Sequence, residues 1–158
     1  MLQEGITALE ALGIAIRNEI DAQALYQDLA SLTKDEVLKE RFLNLQQEER
    51  RHRLLLEKKY KEMFPHVDLQ LPPSQLPVEL GDEGLSKKHS LKDVLEIAIN
   101  AEKEAREFYL DCAETTPDLS GKRMFRFLAD MRFSHQMILA AELELSRIHI
   151  SAPTRLHC

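Results

Sequence analysis

The 158-residue chain has no tryptophan, five glycines and two cysteines, and aromatic residues make up only 6% of it. Scarce glycine alongside long runs of Ala, Leu, Glu, Lys and Arg points to helices. Cys112 and Cys158 form neither a CxxC pair nor a disulfide framework, which makes a reducing cytoplasm the expected compartment. Basic residues are not in excess: the formal charge is −6 and the pI near 5.5, so nucleic acid is excluded as the main partner. No segment approaches the roughly 20 apolar residues of a membrane span, and the N-terminus lacks a basic region followed by an apolar stretch. Hydrophobic residues amount to 44%, enough for one domain with a real core. A soluble intracellular domain is expected.

What is present is a duplication. Residues 7–57 align without gaps on residues 90–140 at a constant offset of 83, with 16 identities in 51 positions, mostly at helical spacing. The clearest pair is LGIAIRNEIDAQALY (12–26) against LEIAINAEKEAREFY (95–109). Helix starts repeat as well. Thr7 with Glu10 and Ser90 with Asp93 resemble capping boxes, Thr33 with Glu36 would open the second helix, and Thr116-Pro117 the fourth. The predicted helices cover about 6–31, 34–63, 90–115 and 117–147, with a long, proline-broken crossover over 64–89 and a C-terminal tail over 148–158. Short connections make each repeat an antiparallel hairpin, and the crossover is long enough to climb the bundle, which is expected to start the second hairpin at the same end as the first. An all-α four-helix bundle follows, spanning residues 1–147.

Stepping by three and four residues along each helix gives four seams: Leu12, Ala15, Glu19, Ala22, Tyr26; Phe42, Leu45, Glu49, His52, Leu56; Leu95, Ala98, Glu102, Ala105, Tyr109; and Phe125, Leu128, Arg132, His135, Leu139. Each is apolar at its ends and polar near its centre. Burying a lone carboxylate costs several kcal/mol unless it is neutralised or paired. Three carboxylates and two imidazoles at one level share an obvious partner, a divalent cation. Glu49 and His52 form an ExxH pair whose i, i+3 spacing sets an oxygen and a nitrogen on one helix face. Such a ligand set suits iron, manganese or zinc better than calcium or magnesium.

With these residues in place, the chain resembles the ferritin-like superfamily, and within it the rubrerythrin-type di-iron proteins. That family carries a Glu on helices one and three and an ExxH on helices two and four. The match covers roughly residues 6–145. The resemblance implies metal ligation by Glu19, Glu49, His52, Glu102 and His135. It also implies one or two iron ions (zinc or manganese as substitutes), chemistry on peroxide, oxygen or iron, and a homodimer. No pair of CxxC motifs supplies a rubredoxin domain, so electrons would come from an external donor such as a rubredoxin-like protein.

The sequence departs from the family where the fourth motif would need Glu and has Arg132 instead. Four glutamates with two neutral imidazoles would balance two divalent ions, −4 against +4. Three glutamates and an arginine give −2, which balances one. Arg132 is therefore expected to modify the site by pairing with Glu102 or Glu49 and filling much of the second metal position. A single ion would then lie among Glu19, Glu49 and His52. Ala105 stands where many rubrerythrins have a further glutamate. The alternatives are a metal carrier and a metal-free helical interaction scaffold.

Overall fold

The computed structural model describes residues 6–76 and 90–151. These form four helices and no strand: α1 (Ala8–Leu32), α2 (Glu36–Met63), α3 (Leu91–Thr115) and α4 (Leu119–Ser151). Each begins where a side chain takes over an orphan backbone N–H. Thr7 caps α1 by accepting from Glu10 N at 3.1 Å, and Ser90 with Asp93 forms a full capping box on α3. The other two starts differ from expectation. Asp35, not Thr33, caps α2, accepting from Val37 N at 2.9 Å, while Thr33 ends α1 by bonding its own N–H to Leu29 O. On α4, Asp118 Oδ2 accepts from Gly121 N at 2.8 Å, and Thr116-Pro117 lie outside the helix. A short carboxylate beats a hydroxyl here because it carries charge to the positive end of the helix dipole. α4 also runs to Ser151, past the predicted 147; residues 77–89 of the crossover and 152–158 of the tail lie outside the described residues.

The core has two apolar clusters, one at each end of the bundle. One joins Leu12 and Ile16 of α1 to Leu56 and Tyr60 of α2, Tyr109 and Cys112 of α3, and Phe125 and Leu128 of α4. The other joins Leu25 and Leu29 to Phe42, Leu45, Val94, Leu95 and Leu139. The start of α1 therefore meets the end of α3. The second hairpin begins at the opposite end of the bundle from the first, which corrects the expectation of a shared end. A strap that climbs the full height delivers the chain to the far end, so α1 and α3 lie antiparallel and the repeats relate as if by a two-fold through the midplane.

The strap is tied to α1 as it climbs. Arg17 Nε donates to Pro72 O at 2.7 Å, and Asp21 accepts from Ser74 Oγ at 2.8 Å and from Gln75 N at 3.0 Å. At Gly13 the strap passes close to α1: a Cβ there would sit 3.3 Å from Gln70 O and push the strap outward by a few tenths of an ångström. No helix among the described residues is long and apolar enough to cross a membrane.

Candidate metal centre

Between the two apolar clusters lies one polar layer. Glu19 and Glu102 are each the twelfth residue of a 25-residue helix, so antiparallel packing of α1 on α3 brings both to mid-height. Glu19, Glu49, His52, Glu102, Arg132 and His135 are all buried, Glu19 and Glu49 completely. All six seam positions singled out in the sequence thus fall in the same layer.

Two sets of three potential ligand atoms arise within it. Glu19, Glu49 and His52 form one, and Glu49, Glu102 and His135 the other; within each set the atoms lie within 4.8 Å of one another. Glu49 belongs to both. In the first set His52 Nδ1 stands 3.5 Å from Glu49 Oε2 and 3.9 Å from Glu19 Oε2. None of these three buried atoms has a hydrogen-bond partner.

Arg132 sits against both sets. Its Nη1 donates to Glu102 Oε1 at 3.2 Å, and its Nη2 lies 3.2 Å from Glu19 Oε2 and 3.5 Å from Glu49 Oε2 while donating to Asn18 O at 3.2 Å. The expected partners, Glu102 and Glu49, are contacted, and Glu19 is added. At 2% exposure the guanidinium does not reach water.

The tyrosines complete the layer with a reciprocal arrangement. Tyr26 on α1 donates its hydroxyl to Glu102 on α3 at 2.9 Å, and Tyr109 on α3 donates to Glu19 on α1. Each repeat thus clamps the other's glutamate, a direct consequence of the antiparallel relation. His135 is held from both sides, with Nδ1 2.7 Å from Glu49 Oε1 and Nε2 2.7 Å from Glu48 Oε2. Glu48 lies off the seam of α2, beside Glu49 and toward α4, and its counterpart in the other repeat is Met131, so neither the helical spacing nor the duplication hints at it.

Proton affinities follow from burial and charge. Burial, with Glu49 alongside and despite Arg132, lifts Glu19 well above the ordinary carboxylate range. Burial works against ionised Glu49 too, but Arg132, the bond to His135 and the nearby polar groups of Glu19 and His52 hold it well below that range. Burial raises Glu102 to about 7 against the pull of Arg132. Burial alone would lower His135, yet its bond to Glu49 and the charges of Glu49 and Glu102 raise it to about 9. Protons and one guanidinium therefore balance acids that a cation could balance instead.

The donor set fits a divalent transition ion: two carboxylate oxygens and an imidazole nitrogen, buried, convergent and without hydrogen bonds, with Arg132 beside the two oxygens as their ion-pair partner. A four-helix bundle with one long crossover and carboxylates and histidines facing inward defines a ferritin-like protein with a core suited to metal. The rubrerythrin family model matches residues 10–143, most of the chain, and the protein belongs to that family. A hypothetical protein from Pyrococcus furiosus is 38% identical, with a TM-score of 0.79 over 91% of this chain and 92% of that one. An uncharacterised conserved protein from Magnetospirillum magnetotacticum shares the fold at 22% identity, with a TM-score of 0.65 over 88% of this chain and 95% of that one. No curated protein matches the chain.

Proposed function

We propose that this chain is a rubrerythrin-like non-haem iron protein that binds one ion per chain, between Glu19, Glu49 and His52, and acts on peroxide or oxygen or handles iron. The convergence of Glu19 Oε2, Glu49 Oε2 and His52 Nδ1, all buried and without hydrogen bonds, carries this reading. Buried polar atoms are nearly always hydrogen-bonded, so three that are not, gathered at one place, mark room for a ligand beside the ion pairs that Arg132 makes to the two carboxylates. Arg132 supplies the positive charge that a second ion would bring, leaving Glu102 and His135 as partners of Arg132, Tyr26 and Glu48 rather than as ligands of a second metal.

A bound iron would supply one-electron redox chemistry. The protein's own residues shape its surroundings: Tyr109 orients Glu19, Tyr26 orients Glu102, and Phe127 packs edge-on against His52 at 5.6 Å between ring centroids. Electrons would come from a separate protein in a reducing compartment, and the chain would work as a homodimer.

Metal analysis of protein purified without chelator tests the count. One iron per chain agrees with the proposal, and two at full occupancy contradict it. Loss of absorbance when peroxide meets the ferrous protein would favour catalysis, while tight metal without that response would favour a carrier. The metal-free scaffold has one observation in its favour, since Arg132 contacts all three glutamates at once. An unchanged melting temperature after chelation would support it, because a ligand bound only to the native state raises stability.

A further inference from the structure

The two ends of the bundle are built from matching positions of the duplication, yet they are filled differently. At the end where α3 starts, Leu29, Leu32, Leu38, Leu91 and Val94 all pack into the second core cluster. At the end where α1 starts, the same five positions hold Cys112, Thr115, Gly121, Ala8 and Ala11. Every replacement is smaller. The space they leave is a cavity of about 390 Å³ between the start of α1 and the end of α3, walled on its other sides by Met63, Met124 and Phe125.

The lining selects what can fill it. The volume falls within the about 300–1,000 Å³ of small-molecule sites and well above the about 150 Å³ that holds one benzene ring. Lys59 and Asp118, the charged residues lining it among the described residues, bond each other at 3.2 Å. Thr7 Oγ1 donates to Glu10, and Thr115 Oγ1 to Asp111 O at 3.1 Å. A charged ligand would lose its water there and find these groups already engaged. Two thioethers and the Phe125 ring instead favour an aromatic surface, through sulfur–ring and ring–ring contacts. Ala8, Met63 and Thr115 are exposed at the rim, so a molecule can enter without unfolding the bundle.

We propose that this cavity is a binding site for a neutral aromatic molecule of about two rings. Its lining is separate from the metal centre, but a chain of contacts joins the two. Phe125 stacks on Tyr109 with 6.2 Å between ring centroids, and Tyr109 donates its hydroxyl to Glu19. A molecule held against Phe125 lies one ring away from the clamp on a candidate metal ligand.

N-phenylnaphthylamine, which is neutral and brightens in apolar surroundings, is the probe. Added to the full chain with chelator present, it should gain emission on binding and raise the melting temperature. Anilinonaphthalene sulfonate, with the same rings and one negative charge, should bind roughly tenfold more weakly. Ala8→Leu and Thr115→Leu, both at exposed positions, should each weaken the neutral probe roughly tenfold while the melting curve persists. In the unaltered chain, the Met63 and Met124 methyl groups should show NMR cross-relaxation to the probe's ring protons. A probe that gains no emission overturns the site. So does binding that leaves both methionine methyls silent, or an affinity unchanged in both variants. Equal binding of the sulfonate overturns the neutral class.

Discussion

Arg132 decides how the polar layer is balanced. Its guanidinium is buried among three carboxylates and bonded to the Asn18 carbonyl, and those carboxylates hold its affinity for its proton well above the ordinary value even though burial opposes it. Removing one partner of such a group strands the others. Arg132→Leu should destabilise the metal-free protein by about 3–5 kcal/mol, measured by denaturant unfolding with chelator present. Arg132→Glu should instead complete a second ExxH with His135 and raise the metal count from one to two per chain, measured by elemental analysis. An unchanged count would show that Arg132 does not occupy the second position. The polar residues themselves were legible from the seams, because a charged residue at core spacing stands out against Leu and Ala. Glu48 was not: a half-exposed glutamate on a charged helix looks like any other, and only the position of His135 across the groove gives it a role.

At the scale of the helices, starts were the least legible feature, and the reason is physical. Thr33 and Thr116 are as good as hydroxyl caps by type, but in the folded chain each ends the preceding helix, leaving Asp35 and Asp118 to begin the next. The two aspartates are themselves a matched pair in the duplication, a hint that lay in the alignment. Asp35→Ala should therefore cost about 1 kcal/mol, whereas Thr33→Ala should cost distinctly less, measured by thermal unfolding. Equal losses would argue against the assigned cap. The end-to-end direction of the hairpins is hidden in the sequence for a different reason. Length shows how far a crossover can reach, but only its ties to α1 through Arg17 and Asp21 fix where it goes.

Across the whole molecule, stability should depend on pH in a way that distinguishes the metal-free form. The folded-state affinity of His135 for its proton is raised to about 9, so its contribution is complete below about 6.5 and is lost as pH climbs through 9. Glu102, raised to about 7, acts in the same direction: its neutral form is favoured by folding, and stability falls as it ionises. Glu49, held low, has given its full contribution well below that range. The melting temperature with chelator should thus fall steadily from pH 6 to pH 9. With metal bound, the ion takes over the role of the protons and the slope should flatten. A metal-free curve that rises over this interval would refute the assigned proton affinities.

The reciprocal tyrosine clamps carry a practical consequence. The chain has three tyrosines and no tryptophan, and two of the three, Tyr26 and Tyr109, donate their hydroxyls to carboxylates of the polar layer. Most of its tyrosine absorption in the near ultraviolet therefore originates beside the centre itself. Filling the site with an ion should shift that band in proportion to occupancy, so the unlabelled protein acts as its own optical gauge of loading.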